Sequence, residues 1–242
     1  MSNIVSLNFD HHSTLQVQAN LRHSSAINQH LMPLVPSEFG RASSCFPIVI
    51  VKSEDTGQFT FSAMMGFGPG ENLFVREGLW DADYEPLQIQ RQPFFVGDDN
   101  GNRVVCFDSD SAALSSDVGE PLFTSSSQPS DYLETVQQIL NELVNGEQES
   151  RELASQLLDL DLLTPFSIDI EFNDASKQSV QGAYMLNESK IAELDDQTVL
   201  ALHRSGAMGL IHTLRCSMHQ IPNLIARKNR MLEVAKSWFE RA

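Results

Sequence analysis

Residues 45–67 read CFPIVIVKSEDTGQFTFSAMMGF and contain two strand-like runs on either side of a turn. The first run is apolar and β-branched, which is typical of a buried strand, and the second alternates apolar with polar side chains. Thr56 and Gly57 stand between the runs, and glycine permits the positive φ that a tight turn needs. This stretch predicts an antiparallel hairpin and so decides in favour of a fold built on an antiparallel sheet.

The sequence after this hairpin extends the predicted sheet. NLFV at 72–75 and the alternation in PLQIQRQPFFV at 86–96 each predict a strand. GDDNGN at 97–102 predicts a hairpin turn, because the Asn-Gly pair favours positive φ, and RVVCFD at 103–108 predicts the returning strand. Residues 46–108 therefore predict an antiparallel sheet core of about five strands.

The second half of the chain has mainly helical periodicity. A helix is predicted from Ser130, a suitable N-cap, through SDYLETVQQILNELV, and a second helix over 150–163. The runs FSIDIEF and SVQGAYML predict a second hairpin at about 167–187, and helices follow to about residue 241, interrupted near Pro222. These elements predict an α+β fold with a helical C-terminal half.

The length of 242 residues suits one large domain or two small ones, and the patterning predicts one domain over 1–242. Within it we expect an N-terminal extension over 1–35, a sheet-rich part over 36–128 and a helix-rich part over 129–242.

The chain is strongly acidic, with 16 basic and 32 acidic residues and a formal charge of −16. Because the phosphates of nucleic acid would be repelled, we do not expect nucleic acid to be the main ligand. Residues 215–241 are an exception, with six basic residues against two acidic ones. A basic helix here can dock on the acidic body of the protein or meet an anionic partner, and we favour docking or plain solvation.

The three cysteines, Cys45, Cys106 and Cys216, are few and widely spaced, which fits a reducing compartment without disulfides. The N-terminal sequence shows no basic segment followed by an apolar segment, and no apolar run reaches the length of a membrane helix. We therefore expect a cytoplasmic protein that does not span a membrane.

GFGPGENLFV at 66–75 could suggest a phosphate-binding loop. Such a loop needs a lysine after its glycines or a helix N-terminus behind them, whereas Glu71 and Asn72 stand here before a predicted strand. We interpret the glycines as a tight turn between strands.

Metal sites are weakly indicated. His212 and Cys216 share a helix face, and His12 follows His11 near the N-terminus, but neither pattern has the spacing of a known metal motif. We therefore predict no metal, no cofactor and no catalytic residue, and keep His12, His212 and Cys216 as weak metal candidates.

WDADYEPLQIQRQPFF at 80–95 combines aromatic side chains with an arginine. Aromatic groups around Arg91 can form a groove for a peptide or a planar ligand, or they can be a sheet face packed under a helix. The candidate ligand- or partner-binding residues are Glu38, Asn72, Trp80, Tyr84, Arg91 and Phe94.

Several short motifs occur in a characteristic order along the chain. They are H-x-x-L-x-V at 12–17, EF at 38–39, FPIVIVK at 46–52, GENLFV at 70–75, WDADYEP at 80–86, R-x-P-F at 91–94, GEPLF at 119–123 and GAYMLNESKIAELDDQTVLALHRSGAMGLI at 182–211. In this combination the chain resembles the bacterial SapC family over essentially its whole length. The family form RRYPF appears here as QRQPF, which departs at Gln90 and Gln92.

The resemblance implies little chemistry. The family name comes from a surface-layer gene locus, and no agreed catalytic residues can be carried over. Similar proteins are encoded beside flavin-dependent tryptophan halogenases, cupin-like oxygenases and TonB-dependent receptors. That neighbourhood implies a cytoplasmic partner in the handling or modification of a small molecule or peptide.

We therefore predict a non-catalytic binding or accessory protein for a protein, peptide or small-molecule ligand, acting with enzymes such as the tryptophan halogenases and able to form a homo-oligomer. A metal-assisted enzyme of unknown reaction is the first alternative, and a structural protein of the surface layer is the second.

Overall fold

The computed structural model describes residues 3–239 of the chain. The strands are β1 (Ile4–Ser6), β2 (Gln16–Val17), β3 (Leu31–Leu34), β4 (Ile48–Lys52), β5 (Phe59–Met64), β6 (Val75–Arg76), β7 (Leu79–Trp80), β8 (Phe94–Asp99), β9 (Asn102–Asp108), β10 (Leu114–Ser115), β11 (Glu120–Pro121), β12 (Leu163–Glu171) and β13 (Lys177–Leu186). The helices are α1 (Phe9–His12), α2 (Phe39–Ala42), α3 (Leu87–Gln90), α4 (Asp131–Asp159), α5 (Glu188–Ala192), α6 (Asp196–Ser205), α7 (Ala207–Ser217) and α8 (Ile221–Phe239). Short 3-10 helices cover Ala19–Ala26, Pro36–Glu38 and Met218–Gln220.

These elements form two compact units. The first unit comprises Met1–Ile27, Val75–Asp81 and Leu87–Asn145, and the second comprises Asn28–Phe74, Ala82–Pro86 and Gly146–Ala242. The α+β fold class is confirmed, because antiparallel sheets are combined with a helical C-terminal half. The description of residues 1–242 as one domain stays a prediction.

The first unit contains two small sheets, in the orders β1-β9-β8 and β10-β2-β11, and the two-stranded pair β6-β7. The N-terminal half of α4 presents Leu133, Val136 and Leu140 to a core that also contains Phe94 and Phe107. The spacing of the three α4 residues puts them on one helix face, which explains the amphipathic sequence there.

The second unit is built on a five-stranded antiparallel sheet in the order β12-β13-β4-β5-β3. Helix α7 packs against β13 and β4 in this sheet. The hydroxyl of Ser217, at the end of α7, is fully buried and accepts a hydrogen bond of 3.0 Å from the backbone N–H of Ile48. Sheet and helix are thus joined by apolar burial and by one buried polar contact.

The predicted turns and hairpins are confirmed. Gly57 adopts a φ of 70° between β4 and β5, and Asn100 and Gly101 both adopt positive φ between β8 and β9. Strands β12 and β13 pair as predicted for the second hairpin. Helix α7 ends and α8 begins just before Pro222, where the proline occupies the first turn of the new helix.

The strands predicted between residues 46 and 108 do not all belong to one sheet. The pair β4-β5 lies in the five-stranded sheet, β6-β7 stands alone, and β8-β9 joins β1. Alternating polarity along a strand predicts which face is buried but carries little information about distant partners, so the sequence could not separate these sheets.

Two predicted strands are correct only at their C-terminal ends, because β6 begins at Val75 and β8 begins at Phe94. Leu73 and Phe74 form a turn before β6, because the Asn72 carboxamide oxygen accepts the backbone N–H of Phe74 at 2.9 Å and so competes with strand pairing. Residues 87–90 form the single helical turn α3, closed by a hydrogen bond of 2.9 Å from the Arg91 N–H to the Leu87 carbonyl. Three alternating positions are too few to distinguish a strand from such a turn.

The two helices predicted over 130–163 are one helix, α4, of 29 residues. Its N-cap prediction is confirmed, since the Ser130 hydroxyl accepts the N–H of Leu133 at 3.2 Å. Gly146 does not end the helix. A Cβ there would lie 2.7 Å from Cγ1 of Val35, so the glycine allows close packing instead.

Candidate binding groove

An open groove of about 770 Å³ lies within the second unit, between the C-terminal half of α4 and helices α6 and α7. Its lining residues are Pro36, Glu149, Glu152, Leu153, Ser155, Gln156, Asp159, Leu160, Thr198, Ala201, Leu202, Ser205, Ala207 and Leu210. On α4 and on α6 these positions recur at intervals of three and four residues, so each helix presents one face to the groove. We call this surface the α4–α6–α7 groove.

The α4 wall of the groove is set by a close helix contact. Because Gly146 has no side chain, α4 can approach Val35, which is itself buried. Pro36, the next residue, then contributes to the groove lining. The glycine thus determines how closely the helix passes the segment that carries Pro36.

The opposite wall is set by the ends of α6. The Asp195 carboxylate caps the helix, accepting the N–H groups of Gln197 and Thr198 at 2.9 and 3.0 Å and the Thr198 hydroxyl at 2.7 Å. These hydrogen bonds lower the pKa of Asp195, and the two from Thr198 have the largest effect. Gly206 ends α6 with a φ of 83°, which only glycine adopts readily, and α7 begins at the next residue.

The groove combines an apolar floor with an acidic wall. Leu153 and Leu202 are buried along it. Glu149, Glu152 and Asp159 line the α4 side, and none of the lining residues is a lysine or an arginine. Glu152 also accepts a hydrogen bond of 2.7 Å from the Gln148 carboxamide, which orients its carboxylate. Such a surface can bind a ligand that has both apolar and cationic groups.

Two of the sequence-predicted site residues meet inside the second unit. The Tyr84 hydroxyl donates a hydrogen bond of 2.8 Å to Oε1 of Glu38, whose Oε2 accepts the backbone N–H of Val35 at 2.9 Å. Glu38 is 2% exposed and Tyr84 is 8% exposed. Both side chains are therefore part of the packed interior around the 3-10 helix that precedes α2.

Asn72 lies on the glycine loop, where its side chain shapes the turn at Phe74. The neighbouring Glu71 carboxylate accepts the N–H of Phe67 at 2.9 Å and closes the loop on itself. A Cβ at Gly66 would lie 2.8 Å from the backbone oxygen of Glu71, so this glycine is required by close approach. The interpretation of the glycines as turn residues is confirmed.

The other predicted residues lie in the first unit. Phe94 is fully buried in the core. The Arg91 guanidinium donates to the Gln88 carboxamide oxygen at 2.7 Å and to the Phe94 carbonyl at 2.6 Å, and it stacks 4.4 Å above the ring of Phe95. The Trp80 ring lies 6.3 Å from that of His23. Whether any of the six predicted residues contacts a ligand stays a prediction.

The weak metal candidates occupy separate places. His12 is at the end of α1, with its ring 4.9 Å from that of Phe107, and His212 and Cys216 are exposed on α7. Over residues 3–239, no three histidine, cysteine, aspartate or glutamate side chains converge in a way that would hold a metal ion.

The basic C-terminal segment docks on the body of its own unit. The Lys228 ammonium pairs with the Glu71 carboxylate, with both side chains 16% exposed. The Arg227 guanidinium lies 4.2 Å from the centre of the Phe74 ring. Asn229 accepts the N–H of Asn173 at 2.9 Å. Of the two alternatives for the basic segment, the middle of α8 therefore docks on the body of the protein. Arg241, which the prediction included, lies outside the described residues.

Sequence reasoning missed the groove residues. The face of α4 that carries Glu149, Glu152 and Gln156 reads as an ordinary solvated helix face. On α6 the groove positions Thr198, Ala201, Leu202 and Ser205 are small or apolar and likewise resemble an ordinary helix face.

Comparisons with known proteins give a family and no closer relative. Among residues 3–239, no helix has both the length and the apolar composition needed to cross a bilayer. No curated protein and no solved structure shows significant similarity to the chain. The SapC family model matches residues 7–224, most of the chain. The chain therefore belongs to the SapC family.

Proposed function

We propose that this protein is a non-catalytic binding protein that captures a peptide, a protein segment or a small molecule in the α4–α6–α7 groove. The observation that carries the proposal is the groove itself. It is open, has a volume of about 770 Å³, and combines an apolar floor with acidic groups on one wall. Binding sites generally combine an apolar lining with a few placed polar groups in this way.

Local contacts hold both walls of the groove in place, and we infer from them a preformed site. One wall is a continuous helix packed closely at Gly146, and the other is fixed by the Asp195 cap and the Gly206 corner. A preformed surface loses less conformational entropy on binding than a flexible one, which favours affinity.

The proposed biological setting is accessory. The protein would deliver or hold a substrate for an enzyme that modifies small molecules or peptides, such as a flavin-dependent tryptophan halogenase, in the cytoplasm. The acidic groove favours ligands with a cationic group, for example the amino terminus or basic side chains of a peptide.

The test is a capture experiment on lysate of the native host, with mass spectrometry of both proteins and small molecules. Wild-type protein is compared with Glu152→Lys/Ala201→Arg, which reverses one groove charge and fills space on α6. Asp169→Lys, on the exposed side of β12, is the control for reversing one acidic charge outside the groove. We expect a specific ligand with wild type and with the control, and its loss with the groove variant. Equal capture by all three proteins would contradict the proposal.

A further inference from the structure

We propose that the α4–α6–α7 groove holds an amphipathic α-helix of a partner protein, about three turns long, with an apolar face and basic side chains along one flank. The inference rests on the proposed role of the groove as a binding surface and narrows its ligand to one class. Three features of the groove support this class of ligand: its helical lining, an acidic row on α4 and small side chains on α6.

The lining of the groove favours a helix over an extended chain. Every lining residue lies in a helix except Leu160, which directly follows α4. The long wall, α4, engages its backbone groups within its own turns, whereas an extended peptide needs a free strand edge to pair its backbone. The hydroxyl protons of Thr198 and Ser205 are donated to the Asp195 carboxylate and the Leu202 carbonyl, at 2.7 and 3.1 Å. A helical ligand bonds its own backbone and avoids the cost of burying unpaired polar groups.

The acidic row runs along α4 with the spacing by which one helix contacts another. Its members recur at intervals of three and four residues and are Glu149, Glu152, Gln156 and Asp159. At about 100° per residue they lie within about 80° of one another, and Leu153 and Leu160 lie directly beside them. The row is about 15 Å long at about 1.5 Å per residue, which is close to three turns. A helix alongside α4 can therefore place basic side chains against the row and apolar ones over the leucines.

The α6 side of the groove leaves room for a helix. Ala201 and Ser205 are exposed one turn apart on the face that lines the groove. Short side chains at a contact allow two helix axes to approach to about 8–10 Å. The buried Leu202 lies beside them and continues the apolar floor. Large apolar side chains of the ligand can thus pack against this wall without displacing it.

The charge of the protein selects the sign of the ligand. None of the groove-lining residues is a lysine or an arginine, so an acidic helix would meet like charges without a compensating pair. The formal charge of −16 attracts a basic segment during encounter, within a Debye length of about 8 Å at physiological ionic strength. A basic amphipathic helix matches the groove in both apolar and charged surface.

The test measures binding of three synthetic peptides of about 14 residues to the full-length protein. The first is an amphipathic helix of leucine, alanine and lysine, the second is the same sequence with two central D-leucines that break the helix, and the third has glutamate in place of lysine. The protein variants are Glu149→Lys/Glu152→Lys in the groove and the matched control Glu147→Lys/Asp169→Lys, which reverses two exposed acids outside the lining. Fluorescence anisotropy gives the affinities, and circular dichroism confirms that each variant is folded.

We expect the basic helix to bind the wild type and the control at least about tenfold more tightly than its D-leucine counterpart, because only the helix satisfies its own backbone. The groove variant should lose at least about tenfold in affinity for the basic helix and should bind the glutamate helix more tightly than the wild type does. Equal binding of the D-leucine peptide, no binding of the basic helix up to about 1 mM, or unchanged preference in the groove variant would overturn the inference.

The lysate capture distinguishes this inference from the proposed function. A captured small molecule or extended peptide that is lost with Glu152→Lys/Ala201→Arg would overturn the helical ligand and leave the groove as the binding site. Capture that this groove variant does not change would overturn the proposed function and the helical ligand together.

Discussion

Val35 fills the space that a side chain at Gly146 would need: a Cβ at residue 146 would lie 2.7 Å from Cγ1 of Val35. Gly146 lies within the continuous helix α4, and Val35 is followed by Pro36, which lines the α4–α6–α7 groove. A residue that usually weakens a helix is therefore the one that lets this helix form a wall of the groove.

We expect Gly146→Ala to destabilise the protein by about 1–3 kcal/mol, because overpacking outweighs the gain in helix propensity. Gly209→Ala in α7 is the matched control, since a Cβ there meets nothing within 4 Å. Chemical denaturation measures both free energies of unfolding. Val35→Gly should make Gly146→Ala less costly, because it also removes the Val35 Cβ, the atom nearest to the added methyl. A Gly146→Ala protein as stable as the wild type would show that the contact does not constrain α4.

We expect Tyr84→Phe to lower the free energy of unfolding by about 1–3 kcal/mol, because the buried Glu38 carboxylate loses a donor. Tyr184→Phe, whose ring packs edge-on against Phe59, should change the stability by less than about 0.5 kcal/mol. Thermal and urea unfolding of the two variants make the comparison. Equal losses of unfolding free energy in the two variants would mean that the Glu38–Tyr84 hydrogen bond does not stabilise the fold.

We expect Lys228→Met to cost about 1–3 kcal/mol, because it leaves the largely buried Glu71 carboxylate without its cation. Lys177→Met breaks the pair with Glu171, whose side chains are 75% and 60% exposed, and should cost less than about 1 kcal/mol. Hydrogen exchange should also quicken in α8 of Lys228→Met. Unchanged exchange there would refute the role of this pair in docking α8.

His30 should make stability depend on pH. Burial lowers the pKa of His30 below its ordinary 6.5, and the nearby Glu71 charge opposes that shift. Below about pH 6.5 the unfolded chain binds a proton that the folded chain resists, so this contribution is complete above 6.5 and is lost as pH falls toward the folded pKa.

The check is the free energy of unfolding at about pH 7.5 and about pH 5.5 for wild type and His30→Asn. We expect the variant to lose less stability on acidification. NMR titration of Glu71→Gln should show a pKa of His30 that is lower still, because the negative charge that raises this pKa has been removed. Identical pH slopes in wild type and His30→Asn would contradict the assignment.

Local features of the fold could be predicted from the sequence because they depend on neighbouring residues. The turns at Gly57 and Asn100-Gly101 and the Ser130 cap each follow from the chemistry of a few adjacent positions. The division of strands into separate sheets depends on contacts between distant residues, which periodicity does not specify. The unbroken course of α4 past Gly146 depends on Val35, more than a hundred residues earlier.

The candidate site was less predictable than the fold. The polar and aromatic character of Glu38 and Tyr84 predicts binding residues, whereas the structure places both in the interior. The groove is formed by faces of three helices that look individually ordinary, and its concave shape exists only after they pack. Shape of this kind is a tertiary property that residue types do not show in advance.

The most direct test of the groove as the binding site is photo-crosslinking in the native host. A photoreactive phenylalanine analogue is placed at Gln156, which lines the groove, or at Leu158, which is 44% exposed on the same helix but outside the groove lining. The account predicts discrete covalent adducts from residue 156 and none from residue 158. Adducts from residue 158 alone, equal adducts from both positions, or none from either would contradict it.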